Sequence, residues 1–100
     1  MPLTSQQVRH LRGLTHKLQP VVMVGDKGLN ENVLTEIQTA LEHHELIKIK
    51  LRTDREARQA LIDRICDEFA AEKVHVIGQV ACFFKRNPKK PVIALPIKNK

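Results

Sequence analysis

The chain has 100 residues, 42% of them hydrophobic and 28% charged, with a formal net charge of +6. That is enough for one compact domain with its own core, and no apolar run approaches the ~20 residues needed to cross a membrane. The charge is segregated: residues 1–24 and 85–100 carry bases and no acid, while residues 25–84 carry more acids than bases, a pattern that suits a polyanionic partner.

The spacing of Val8, Leu11, Leu14 and Leu18 predicts a first helix from about Gln6 to Leu18, capped by Thr4 or Ser5 and ended by Pro20. Arg9, Arg12 and His16 fall on a second stripe of that helix, at spacings of three and four. Val21-Val22-Met23-Val24 reads as a short strand buried on both faces. After Gly25-Asp26-Lys27-Gly28, Asn30 caps a second helix whose buried face is Val33, Leu34, Ile37 and Leu41. From Leu46 to Leu51, Ile47, Ile49 and Leu51 alternate with Lys48, Lys50 and Arg52, so one face is core and the other carries three positive charges.

Thr53 and Glu56 form a capping-box pattern for a third helix reaching about Ala71. Its apolar arc holds Ala57, Leu61, Ile62, Ile65, Cys66 and Phe69, and Arg58 falls inside it without a periodic reason. Val74–Ile77, the turn Gly78-Gln79 and Val80–Lys85 predict a β-hairpin. No repeat, linker or low-complexity stretch precedes residue 86. The tail, residues 87–100, contains Pro88, Pro91 and Pro96, and Val92–Leu95 within it is read as a short edge strand. The order α-β-α-β-α-β-β, with right-handed parallel crossovers, predicts an α/β two-layer sandwich on a mixed four-stranded sheet.

The Gly25-Asp26-Lys27-Gly28 loop carries the chemistry. A helix N-terminus offers free N–H groups and partial positive charge to a phosphate. Glycines let a nucleic-acid backbone come close, and KH domains use a Gly-x-x-Gly loop in this way. An ordinary tight turn is the competing reading, and the spacing does not fit a P-loop. The C-terminal ends of the first two strands share a sheet edge, which gathers Lys27, Arg52 and Arg55. Arg9 and Arg12 are expected to return toward the same loop.

Catalytic groups are not in evidence. Ser5 is the lone serine, and Asp63 and Asp67 read as a solvated pair rather than a metal site. Cys66 and Cys82 form no Cys-x-x-Cys pair and read as small buried hydrophobes. No cofactor is expected. With three Phe and no Trp or Tyr, recognition would rest on phosphates, shape and 2′-hydroxyls. Alternation leaves one of Phe83 and Phe84 pointing away from the core, and that ring is the only candidate for stacking on a base. The start, Met1-Pro2-Leu3-Thr4-Ser5, lacks the marks of a secretion signal, so the expected location is the cytoplasm.

Together these residues resemble the CRM domain in its stand-alone bacterial, YhbY-like form. The resemblance covers about residues 3–86. It rests on Leu11-Arg12 with His16, Leu18 and Pro20; on Val21 through Gly25-Asp26-Lys27-Gly28-Leu29; and on Glu36-Ile37 with Leu41. His44-Glu45-Leu46-Ile47-Lys48 and Val76-Ile77-Gly78 followed by Lys85-Arg86 complete it. The resemblance implies a fold similar to the C-terminal domain of translation initiation factor three. It also implies an RNA-binding module acting on ribosomal RNA of a large-subunit precursor. Asp26 stands where the family often has lysine, which shifts the loop's cationic role to Lys27, and Phe84 stands where the family often has Tyr.

The expected site is therefore Gly25, Lys27 and Gly28 holding the backbone. Arg9, Arg12, His16, Lys48, Lys50, Arg52, Arg55, Lys85 and Arg86 would supply charge. The expected partner is RNA, bound by a monomer, with neither membrane nor catalysis involved. Two alternatives stand beside it: an assembly factor working mainly through protein contacts, and a small phosphate-handling enzyme.

Overall fold

The computed structural model describes residues 3–25, 27–87, 89 and 91–93. Helix α1 spans Ser5–Thr15. Thr4 caps it in a reciprocal box: its hydroxyl accepts from the Gln7 N–H at 3.1 Å, and the Gln7 side chain accepts from the Thr4 N–H at 3.0 Å. The helix stops at Thr15, three residues before the expected end. The Thr15 hydroxyl donates to the Arg12 carbonyl at 2.6 Å, and the N–H groups of Lys17 and Leu18 each turn back three residues, to Leu14 and Thr15.

Strand β1 spans Pro20–Val24, and α2 spans Glu31–His44 with Asn30 accepting from the Val33 N–H at 2.9 Å. A single residue, Glu45, with φ 62°, turns the chain into β2, Leu46–Leu51. Helix α3 covers Arg55–Phe69. Its cap is Asp54, not Thr53: the Asp54 carboxylate accepts from the Ala57 N–H at 2.8 Å, so the expected Thr53–Glu56 box does not form. Leu61, Ile62, Ile65, Cys66 and Phe69 pack inward, whereas Ala57 is exposed. Ala70, in the left-handed region at φ 54°, ends the helix. The hairpin follows as β3, Glu72–Ile77, and β4, Val80–Phe84, with Gly78 at φ 55° in the turn.

The sheet order is β1-β2-β4-β3, with β1 parallel to β2 and the other pairs antiparallel. This is the expected mixed four-stranded α/β fold with three helices. The main core lies between one sheet face and helices α2 and α3, where Val22, Val24, Ile47, Ile49, Leu51, Ala81 and Phe83 meet Ile37, Leu41, Ile62 and Ile65. The opposite face alternates with it and is only partly covered. There α1 packs against β2 and β3, burying Leu11 with Leu46, Val74, Cys82 and Phe84. The sandwich therefore has one full helical layer and, on its other side, one helix over part of the sheet.

At the two described positions of the expected edge strand, Val92 and Ile93 pair with no strand. Their N–H groups donate instead to the Glu45 carboxylate, at 2.7 and 2.8 Å. Ala94 and Leu95 lie outside the described residues. No helix among the described residues is long and apolar enough to cross a membrane.

Candidate nucleic-acid interface

The structure sorts the predicted site residues into three places. The first is the edge where β1 and β2 end together. The Arg52 N–H donates to the Val24 carbonyl at 2.9 Å, which ties the two strand ends side by side. Gly25, Lys27 and Gly28 follow β1 there, and Arg52 and Arg55 follow β2. The loop is closed by a turn: the Gly28 N–H donates to the Gly25 carbonyl at 3.0 Å. Buried Leu29 and the cap at Asn30 then fix the entry to α2. Asp26 lies outside the described residues.

The two glycines differ. Gly28 has φ 65°, a conformation that glycine adopts without strain. Gly25 does not sit in that region, and a Cβ added there meets nothing within 4 Å. Neither the fold's backbone nor its packing requires glycine at 25.

The second place is the uncovered part of the sheet face beside α1. The strand registers set Met23, Lys50, Val80 and Ile77 in one row across the sheet, and Lys48, Cys82 and His75 in the next. Lys48 and Lys50 are half-buried and alternate with the core residues of β2, as its spacing predicts. Met23 and Ile77 are 54% and 62% exposed, so the face is both basic and apolar. The Arg52 guanidinium reaches back onto it, with Nη1 4.0 Å from the Met23 sulfur.

Arg12 and His16 join this face rather than the loop. Both bear electrostatically on His75, as does Lys48. Burial first, then Arg12, His16 and Lys48, hold the His75 imidazole below its ordinary pKa. The return of Arg12 to the Gly-x-x-Gly loop is thus replaced by a convergence on the sheet. Arg9 is exposed one turn earlier on α1. His75 was not among the predicted residues; its register opposite Cys82 places it here.

The third place is the opposite end of the sheet, where β4 terminates. Lys85 is exposed, but Arg86 has internal partners. Its Nη1 lies 3.4 Å from both Glu45 carboxylate oxygens and donates to the Ile93 carbonyl at 3.0 Å. Its guanidinium sits 5.6 Å from the centre of the Phe84 ring. Glu45 is fully buried and also accepts from the N–H of Asn87 at 2.6 Å. Burial alone would raise its pKa. The three backbone N–H groups and Arg86 outweigh that and hold the carboxyl below the ordinary carboxylate value.

Two sequence expectations change. Phe84 does point away from the main core, yet α1 covers it and it is buried, so it is not available to stack on a base. Arg58, whose place in the apolar arc of α3 had no periodic reason, is half-buried and donates to the Thr53 carbonyl at 3.0 Å. Its stem covers core while its head closes the loop before the helix. Asp63 accepts from Gln59 at 3.0 Å on the face of α3.

A family model described as the CRS1 / YhbY (CRM) domain matches residues 3–85. The chain is 45% identical over 97 residues to an RNA-binding protein of Haemophilus influenzae, covering 96% of this chain and 97% of the relative. It is 41% identical over 90 residues to a probable RNA-binding protein of Pseudomonas aeruginosa, covering 89% and 86%. The solution structure of a hypothetical protein from Staphylococcus aureus superposes with a TM-score of 0.80 at 31% identity, over 95% of this chain and 100% of that one.

Proposed function

The chain belongs to the CRS1 / YhbY (CRM) domain family, and from that premise we propose that it binds RNA. In this reading it is a monomeric, cytoplasmic, non-enzymatic protein that acts on ribosomal RNA during maturation of the large subunit. The observation that carries the proposal is the second of the three places. Lys48, Lys50, Arg12 and His16 share a sheet face with exposed Met23 and Ile77, and none of the four forms an ion pair among the described residues. The adjoining edge adds Lys27, Arg52 and Arg55 beside a glycine loop that a sugar–phosphate backbone can approach closely. The names of the Haemophilus and Pseudomonas relatives support the choice of ligand.

No aromatic ring contributes from the described surface, because Phe69, Phe83 and Phe84 are all buried. Contact with phosphate and ribose therefore dominates over base stacking. With about four to six phosphates engaged on a single strand, log K falls against log[salt] with a slope of roughly −3 to −4. A filter-binding or fluorescence titration across a salt series measures it, and a slope near zero refutes the reading. Crosslinking in cells with sequencing of the recovered RNA tests the target. Large-subunit precursor sequences are the expected enrichment; their absence refutes the ribosomal assignment.

A further inference from the structure

A recess of about 190 Å³ opens between the end of α1 and the sheet, lined by Thr15, His16, Lys48, His75, Val80 and Cys82 among others. Its polar groups come from separate elements. The end of α1 brings Thr15 and the cap residue His16, with Arg12 one turn earlier; β2 brings Lys48; β3 brings His75; β4 brings Cys82. None of the lining residues is acidic.

The backbone aims His75 inward. The β3–β4 register slips between Lys73 and His75. This irregularity lets Val74 pack under α1 with Leu11 while His75 lines the recess. The groups that bear on His75 are Arg12, His16 and Lys48, and each disfavours its protonated form. Cys82 adds no charge, since burial pushes its thiol up, and the Thr15 hydroxyl is engaged by the Arg12 carbonyl. Packing of Leu11 and Val74 thus holds His75 where its protonated form would meet repulsion from Arg12 and Lys48. An anion in the recess would reverse that repulsion.

We propose that this recess is a phosphate site, taking one phosphate group of an RNA strand between Lys48, His16 and His75. The inference rests on the RNA-binding reading and adds to it a defined contact away from the glycine loop. Lysine supplies a point charge with three donors, and each imidazole supplies one donor when neutral and two when protonated. The bound phosphate favours the protonated rings, so binding takes up protons and tightens as pH falls. The group is either an internal phosphodiester or a terminal monoester.

The test uses the intact protein and one short single-stranded RNA. The ring protons of His75 are followed by NMR against pH, free and RNA-saturated, and RNA affinity is measured over a salt series for the parent and for Lys48→Gln. Saturation is expected to raise the His75 titration by about one unit, equivalent to tenfold tighter binding of the protonated form. Lys48→Gln is expected to reduce the salt slope by about 0.7, the share of one phosphate on a single strand, with an unchanged thermal melt. Tighter binding of the 5′-phosphorylated than of the 5′-hydroxyl oligonucleotide assigns the monoester, and equal binding assigns the diester. An unmoved His75 titration, or a Lys48→Gln slope equal to the parent's, overturns the proposal and leaves the RNA-binding reading standing. Failure of the parent to bind RNA at any salt overturns both.

Discussion

Lys50 and Arg86 lie on opposite ends of the same sheet, and both read as cations in the sequence. Lys50 stands on the open face in a row with Met23 and Ile77, with no ion-pair partner among the described residues. Arg86 is bound to a buried carboxylate, to a backbone carbonyl and to the face of a ring. The contrast separates charge from available charge. A cation that neutralises Glu45 holds the chain together, and a cation with no internal partner is free to neutralise a ligand. Net charge counts them alike; only the partners tell them apart.

The largest test of the contrast is Glu45→Gln, which keeps the size and the backbone while removing the charge. Three N–H groups and Arg86 would lose a carboxylate, at a cost of about 3 kcal/mol, or roughly 12–24 °C in Tm for a domain of this size. Differential scanning calorimetry reads it. The pH dependence has a definite sign. The folded pKa of Glu45 lies below its ordinary value, so its contribution is complete above the unfolded value near ~4.3 and is lost as pH falls through the folded one. The Gln variant should lack that acid limb of the stability curve.

A smaller effect distinguishes the two cations directly. Arg86→Ala should cost roughly 1.5 kcal/mol, discounted for a side chain 36% exposed, and leave the RNA salt slope intact. Lys50→Ala should do the reverse, with the slope shallower by about 0.7 and stability within ~0.5 kcal/mol of the parent. If the two variants behave alike, internal partners do not decide which cations bind RNA.

The glycine loop allows the same separation at lower cost. Gly28→Ala places a side chain at φ 65° and should lose ~1 kcal/mol of stability, whatever it does to binding. Gly25→Ala has neither a φ constraint nor a clash in the free protein. Its melt should move by no more than ~0.5 kcal/mol, while RNA affinity falls if a backbone lies against the loop. A titration and a melt on each variant complete the comparison. Unchanged affinity for Gly25→Ala would mean that no ligand presses on that position.

Element order, the alternation of β2 and the cap at Asn30 were legible because each depends on spacing within a few residues, whereas β1, expected to be buried on both faces, alternates and leaves Val21 and Met23 exposed. Lys48 and Lys50 were found on the correct face for the same reason. What escaped was set by contacts distant in sequence. Glu45 follows a helix end and would pass for an ordinary solvated residue; its ligands lie at Arg86, Asn87, Val92 and Ile93. The burial of Phe84 depends on α1, which alternation along β4 cannot reveal. His75 reads as a strand residue until the register puts it across from Cys82 and beside His16. The cap of α3 moved by one residue because Thr53 and Asp54 are both good caps, and only geometry chose between them.

The placement of α1 also sets an order of events during synthesis. It is made before β2, β3 and β4, yet its sheet-side partners, Leu46, Val74, Cys82 and Phe84, come from those strands. α1 therefore cannot complete its packing until Phe84 has been added. Its contacts have the longest sequence separations in the domain, and such contacts form late because a long loop must close first. Their cluster is also the smaller of the two, so in native-state hydrogen exchange α1 should open at lower free energy than α2. The helix that forms one wall of the basic face would then be the last piece to arrive and the first to leave.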